Sequence, residues 1–241
     1  MNEAATMMAE VSQIDPREIR SRKERDSEQA RRLRSVVEAA RSQPYYEDVL
    51  AGIDPVETPA DLVNLPILRK NDLIDIQPRQ MPFGGIMADS SQADYLFISP
   101  GPILEPGFIK QEFWRVDRAM RAAGFSSSDV IHNTFSYHLT PGAWMMDSGA
   151  RSMGCSVIPA GNAPIEQQIM AIYAYGATAY AGTPDFLKTL MEACLSADRG
   201  PLPFKRALVS GGALTPGLRD FFSESGVHVL QCYATAERGL I

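Results

Sequence analysis

Ala207-Leu208-Val209-Ser210-Gly211-Gly212-Ala213, then residues 214–226, then Val227-His228-Val229-Leu230-Gln231-Cys232-Tyr233-Ala234-Thr235-Ala236-Glu237 read as strand, glycine turn, helix, strand and exposed polar loop. The short apolar run Ala207-Leu208-Val209, cut by Ser210-Gly211-Gly212, suits a buried parallel strand that ends in a tight turn. Thr215-Pro216 opens the helix, with the threonine as N-cap and the proline at the first helical position, where its missing N–H costs nothing. Gly226 closes it, and a second β-prone run follows. In open α/β sheets ligands bind outside the carboxyl ends of strands. Gly211-Gly212 and residues 233–237 both fall at such ends, so the chemistry is expected there.

Working back from this unit, the same alternation extends to about residue 94. Strands are predicted at 95–98, 130–135, 156–159 and 177–181. Helices are predicted at 108–123, 141–153, 164–175 and 184–195, the first three closed by Gly124, Gly154 and Gly176. Strands alternating with helices of this length imply an α/β fold with a mostly parallel sheet and helices on both faces. Between the first strand and its helix lies Ser99-Pro100-Gly101-Pro102-Ile103-Leu104-Glu105-Pro106-Gly107, read as a loop because of its three prolines and two glycines. Residues 1–93 are different: a loose tail to about residue 15, a long charged helix to about Arg41, then short helices punctuated by Pro44, Pro55, Pro59 and Pro66. In the long helix Leu33, Val36, Val37 and Ala40 follow helical spacing and are expected to face a core. The seven basic residues of its Arg-rich part, Arg20 to Arg34, are interleaved with acids, which fits a solvated face with i,i+4 pairs, the alternative being an anion-binding patch. The predicted division is therefore a helical region, 1–93, and an α/β region, 94–241.

Composition excludes several classes. A net charge of -6 argues against a general nucleic-acid binder. No uncharged apolar run approaches the roughly 18 residues a membrane span needs, and the opening MNEAATMMAEVSQ lacks the basic-then-apolar order of a secretory signal. Cys155, Cys194 and Cys232 have neither metal-type spacing nor the density of a disulfide framework, so a cytoplasmic, reducing location is expected.

Three groups of motifs, in this order and spacing, resemble the N-terminal portion of adenylate-forming acyl-CoA ligases, in particular the phenylacetate-CoA ligase family, over about residues 30–241. The first is Pro44-Tyr45-Tyr46, Gly52-Ile53-Asp54-Pro55, Asp61-Leu62, Leu65-Pro66, Lys70, Asp72-Leu73 and Pro82-Phe83-Gly84. The second is His132-Asn133-Thr134-Phe135-Ser136-Tyr137-His138, Val157-Ile158-Pro159-Ala160-Gly161 and Gly182-Thr183-Pro184. The third is Gly211-Gly212-Ala213 with Tyr233-Ala234-Thr235-Ala236-Glu237. The resemblance implies adenylation of an aromatic, phenylacetate-like carboxylic acid by ATP with Mg²⁺, and transfer of the acyl group to CoA.

It also implies roles. In the family a Ser/Thr/Gly-rich loop ending in Lys-Pro cradles the ATP phosphates; Ser99, Gly101 and Pro106 match it, while Pro102 and Ile103 replace threonines and Glu105 the lysine. Prolines remove donors and a carboxylate repels a triphosphate, so phosphate cradle and rigid structural loop both stay open for this segment. Gly211, Gly212 and Ala213 would form one wall of the adenine slot and Tyr233 would lie against adenine. Thr235 is one position from the family's phosphate-binding threonine, and Glu237 would help hold Mg²⁺ and act in catalysis. Phe135, Tyr137 and His138 occupy the place of the acyl pocket, whereas His132 is read as structural, inside its strand. Family members continue past this loop to a ribose-binding Asp and a mobile domain with a catalytic Lys, whereas the sequence stops at Ile241. Low activity of these residues alone, and a last strand with an open edge that favours a homodimer or aggregate, are therefore expected. The competing expectation is a non-catalytic binding or accessory homologue, and a third is a flavodoxin-like nucleotide or effector domain.

Overall fold

The computed structural model describes residues 16–87, 92–110, 113–197 and 199–241; the expected N-terminal tail lies outside the described residues. The chain divides into two compact units at Gly107. The boundary differs from the one expected at residue 94, because the segment after residue 94 pairs with itself.

The first unit starts with α1 (Pro16–Ile19) and α2 (Arg22–Arg41). The single long helix expected here is broken at Ser21, whose hydroxyl accepts from Glu24 N while the Glu24 carboxylate reaches back to Ser21 N, a reciprocal cap that starts a new helix. Val37 is buried with Leu33 and Ala40 beside it, as the spacing predicted, but Val36 is 65% exposed, one position off the stripe. These side chains pack with Leu50, Val56, Tyr46 and Ile53 from α3 (Pro44–Val49) and the turn after it. Arg41 completes this corner by donating to the carbonyls of Leu50 and Ile53. A 3₁₀ turn, Pro59–Asn64, and α4 (Asp72–Ile76) follow.

The segment read as a loop, either a phosphate cradle or a rigid structural loop, is an antiparallel hairpin. Strand β1 (Tyr95–Ser99) pairs with β2 (Ile103–Gly107), with Phe97 opposite Glu105 and Ser99 opposite Ile103. The residues between them form the turn, where the two prolines interrupt no ladder bond. Phe97, Ser99, Ile103 and Glu105 lie buried on one face. The edge of β2 is covered by the buried Gln77 amide, which donates to Leu104 O at 2.7 Å and accepts from Leu104 N at 3.0 Å, as a third strand would.

The second unit is the alternating part. Its elements are α5 (Val116–Ala122), β3 (Val130–Asn133), α6 (Gly142–Ser152), β4 (Ser156–Pro159), α7 (Ile165–Tyr175), β5 (Ala179–Gly182), α8 (Pro184–Ser196), β6 (Arg206–Val209), α9 (Pro216–Glu224) and β7 (His228–Gln231). The helix expected at 108–123 begins only at Val116, and the strand expected at 130–135 ends at Asn133. All five strands are parallel, in the order β4-β3-β5-β6-β7. Parallel crossovers are right-handed. The step from β3 to β4 runs opposite to the steps from β4 onward, so α6 covers one face and α7, α8 and α9 the other. The second face carries the larger core, with Tyr180, Leu187, Leu190, Phe204, Val209 and Phe222 at its centre. The predicted cap of α9 is present, Thr215 accepting from Leu218 N, and α8 starts the same way, Thr183 accepting from Phe186 N, each threonine followed by proline. No helix among the described residues is long and apolar enough to cross a membrane.

Candidate functional site

Where the direction of strand connection reverses, two neighbouring carboxyl ends diverge and leave a crevice. In this sheet the reversal lies between β3 and β5, so the crevice is bounded by residues 134–138, Gly161, Thr183 and the turn after β6. The geometry fits. A Cβ built on Gly211 would stand 3.5 Å from the Phe135 ring and 3.7 Å from Thr183 Cγ2, and one on Gly161 would stand 3.6 Å from Tyr137 Cδ2. Gly211 has φ +72, a backbone conformation open to glycine and strained for other residues, so the turn keeps a flat, side-chain-free wall beside Phe135.

The aromatic wall is set by β3. Its last residue, Asn133, is fully buried; its Nδ2 donates to Tyr137 Oη at 2.9 Å and to Ala143 O at 3.0 Å, and its Oδ1 accepts from Phe135 N at 3.2 Å. Tyr137 meets Trp144 edge to face at 5.3 Å, and Trp144 Nε1 donates to Tyr137 O at 3.2 Å. Burial, and then the nearby Asp147 carboxylate, push the Tyr137 phenol far up, so it stays protonated at any pH of interest. Burial raises the Asp147 carboxyl too, partly offset by Arg151. Ser136 accepts from His138 N, which turns the chain outward and leaves His138 exposed beside the crevice rather than in its wall.

On the β6–β7 side, Gln231 clamps the glycine turn: its Nε2 donates to Gly212 O at 2.9 Å and its Oε1 accepts from Leu214 N at 3.1 Å. Past β7, Tyr233 is exposed, and the segment read as a polar loop forms a small hairpin, β8 (Ala234–Thr235) with β9 (Gly239–Leu240). Thr235 Oγ1 accepts from Arg238 N, and Glu237 stands exposed at the tip. Arg115 secures this hairpin by donating to Arg238 O and Leu240 O at 2.7 and 2.8 Å, and Leu240 N donates to Trp114 O.

The structure thus gathers Phe135, Tyr137 and Gly211 at one crevice and strings Gly212, Ala213, Tyr233, Thr235 and Glu237 along the neighbouring strand ends. Ser99 and Gly101 lie in the first unit. Ser99 is corrected: it is 4% exposed and its hydroxyl donates to Glu105 Oε1 at 2.7 Å, so it is not presented to a phosphate. Glu105 also has Lys70 Nζ 3.8 Å away, which fits the rigid structural reading of this segment. Gly101 is exposed in the turn. Asn133, Gln231 and Arg115 were not singled out from sequence. The available signal for Asn133 and Gln231 was an amide at the last position of a strand, where a side chain can bond a neighbouring turn.

His132 is structural, as expected. It is buried in β3, its Nε2 lies 2.9 Å from Gln168 Oε1, and Gln168 Nε2 donates to Ala163 O. The amide oxygen can only accept, so Nε2 carries the proton and Nδ1 is bare, buried and without a partner. Burial lowers the imidazole pKa and the Gln168 bond offsets only part of that. Between the folded value and about 6.5 the unfolded chain binds a proton that the folded chain refuses, so this contribution is intact above pH about 6.5 and is lost as pH falls. The urea midpoint is expected to fall between pH 7.5 and 5.5, and to fall less in His132→Gln; equal slopes in both would remove His132 as the cause.

Among the described residues no group of three or more His, Cys, Asp or Glu is placed to hold a metal ion. Glu237 offers one hard oxygen ligand, which suits Mg²⁺ arriving with a phosphate ligand, since that ion is usually held by one or two carboxylates, water and phosphate.

No family model matches the chain. The chain is 27% identical over 208 residues to a phenylacetate-coenzyme A ligase of Thermus thermophilus, covering 80% of this chain and 46% of that protein. To the phenylacetate-coenzyme A ligase of Pseudomonas putida it is 28% identical over 244 aligned positions, covering 95% and 55%. It therefore spans about half the length of the relatives it matches. Among solved structures it resembles a 2-hydroxyisobutyryl-CoA ligase in complex with 2-HIB-AMP and CoA (TM-score 0.80, 24% identity, 92% of this chain and 51% of that one). The postadenylation state of that ligase with 2-HIB-AMP gives a TM-score of 0.79 at 25% identity, over 90% and 50%.

Proposed function

We propose, from the premise that this chain belongs to the adenylate-forming acyl-CoA ligase family and matches its N-terminal portion, that it carries the acid and nucleotide sites of an acid–CoA ligase. The reaction is adenylation of an aromatic, phenylacetate-like acid by ATP with Mg²⁺, then acyl transfer to CoA. The observation that carries this reading is the meeting of Phe135 with the bare Gly211 turn and of Tyr137 with Gly161 at the crevice where the strand connections reverse.

When bound, ATP would supply the α-phosphorus that the acid's carboxylate attacks, with the α–β phosphoanhydride breaking and pyrophosphate leaving, AMP would leave when the CoA thiol takes the acyl group, and Mg²⁺ would offset charge on the phosphates. The chain's own residues do the rest. Phe135, Tyr137 and Trp144 offer stiff apolar walls to an aryl ring. Gly211, Gly212 and Ala213 let a flat base approach the backbone, with Tyr233 on its other side. Glu237 supplies an oxygen to the metal. Two thiols, Cys155 and Cys194, are buried and all three cysteines are free, which suits a reducing cytoplasm.

The test is carboxylate-dependent ATP–pyrophosphate exchange by the protein as its gene encodes it. Exchange is expected with aryl acids. Loss of a metal-supporting carboxylate in Glu237→Gln is expected to cut the rate at least about tenfold and to leave the KM for the acid unchanged. A second reading, a binding or accessory homologue without catalysis, is favoured by the engagement of Ser99 with Glu105 and by Ala236, which stands where the family pattern has its phosphate-contacting threonine. Absence of exchange across aryl and aliphatic acids, with the protein folded, decides for it.

A further inference from the structure

We propose that Asn133 is a positioning residue that sets the shape of the acid pocket by holding Tyr137. The proposal rests on reading the crevice as that pocket. Asn133 is 0% exposed at the end of β3, where strand alternation and burial call for an apolar side chain. Its amide orientation is determined by its surroundings. Nδ2 faces the Ala143 carbonyl and Oδ1 faces the Phe135 N–H, and a flipped amide would set oxygen against oxygen and N–H against N–H. The remaining Nδ2 hydrogen points at Tyr137 Oη, 2.9 Å away. Its main-chain carbonyl accepts from Gly161 N at 3.0 Å, in the turn whose Cα faces the Tyr137 ring.

One residue therefore ties together the turn after β3, the turn after β4 and the start of α6. The turn after β4 is held by its main-chain carbonyl and the other two by its side chain, whose bonds leave Phe135 and Tyr137 few alternatives. An apolar residue here would pack as well but take from the Phe135 N–H its side-chain acceptor and leave Tyr137 free to turn about its χ angles, while the Ala143 carbonyl keeps its place in the α6 ladder. The Tyr137 hydroxyl accepts from Asn133, so the phenol hydrogen is oriented away from the amide. Asn133 touches no substrate in this arrangement; it acts through Tyr137.

The test uses Trp144, which lies edge-on to Tyr137, as the reporter. The parent is Trp114→Phe, which leaves Trp144 as the single tryptophan of the two in the chain. Phenylacetate is titrated by fluorescence into the parent, Asn133→Ala, Tyr137→Phe and the double variant, with ATP·Mg²⁺ titrated in parallel and thermal midpoints recorded. Asn133→Ala is expected to weaken phenylacetate about tenfold, the worth of one hydrogen bond that organises a site, with ATP affinity unchanged. Tyr137→Phe keeps the ring and cuts the same bond from the other end, so the double variant is expected to be no worse than the weaker single one. Should Asn133→Ala fail to fold, Tyr137→Phe against Tyr137→Phe with Asn133→Ser gives the same comparison. Additive losses, equal losses for acid and ATP, or unchanged acid affinity overturn the positioning role while the pocket stands. A parent that binds ATP·Mg²⁺ and no aryl acid overturns both.

Discussion

Glu105→Lys lowers the stability of the chain by about 3 kcal/mol and leaves nucleotide affinity within about twofold. From the family pattern alone the opposite is expected. A lysine restored at the end of a phosphate loop would remove a repulsion worth about 1 kcal/mol at 4 Å in water and about four times that at an effective dielectric near 20. The hairpin reverses the expectation. Glu105 is 5% exposed, accepts from Ser99 Oγ at 2.7 Å and lies 3.8 Å from Lys70 Nζ. Lysine at this position buries an ammonium beside an existing one and removes the acceptor of a buried hydroxyl. Breaking a buried charged pair costs about 3–5 kcal/mol; the lower end applies because the Lys70 side chain is 43% exposed and water screens it. Glu105→Gln keeps an acceptor for Ser99 and is expected to cost about 1 kcal/mol. Urea unfolding and calorimetric titration of ATP·Mg²⁺ at matched ionic strength check both halves. A tenfold gain in affinity at unchanged stability would show that Glu105 faces a phosphate after all.

Gly182→Ala is the second large effect, a loss of about 3–4 kcal/mol. A methyl group on Gly182 would overlap Thr134 Oγ1 and the hydroxyl end of Tyr180. Neither can retreat cheaply. Tyr180 is fully buried, its ring lies 5.8 Å from that of Phe204, its hydroxyl donates to Thr183 O at 3.0 Å, and Thr134 Oγ1 donates to it at 2.8 Å. Moving them strains the β5 end and shifts Thr183, which caps α8 and borders the Gly211 turn. Gly217→Ala is the control: nothing lies within 4 Å of its added methyl and φ is ordinary, so it is expected to be neutral or to add up to about 1 kcal/mol. Equal midpoints for the two variants would mean that the β5 end relaxes freely.

The elements carried by local chemistry were legible in the sequence. Thr215-Pro216 and Pro184 announce helix starts because a hydroxyl cap satisfies an orphan N–H and a proline at the first position removes one, in any fold. The alternation after residue 130 determined a parallel α/β unit, and the apolar run 207–209 and the β-prone run from Val227 named two of its strands. The order of motifs named the family, and the place of Phe135, Tyr137 and Gly211 after their strands put them at one end of the sheet.

Other features depend on partners distant in sequence, and only the tertiary structure decided them. Proline and glycine mark Ser99–Gly107 as irregular when read locally. The segment is a hairpin because Gln77 covers its edge and the buried face of Phe97, Ser99, Ile103 and Glu105 closes on itself. Val36 fits the helical stripe as well as Val37 does, and only the position of Leu50 and Val56 selects one of them. The strand order, and with it the crevice between β3 and β5, follows from which crossovers run backward, and no window of sequence records that. Asn133 and Gln231 are polar residues at strand ends in the sequence. Their roles appear only once the fold brings carbonyls and N–H groups within 3.2 Å of their amides; for Asn133, which is fully buried, such convergence is what makes a polar side chain stable there.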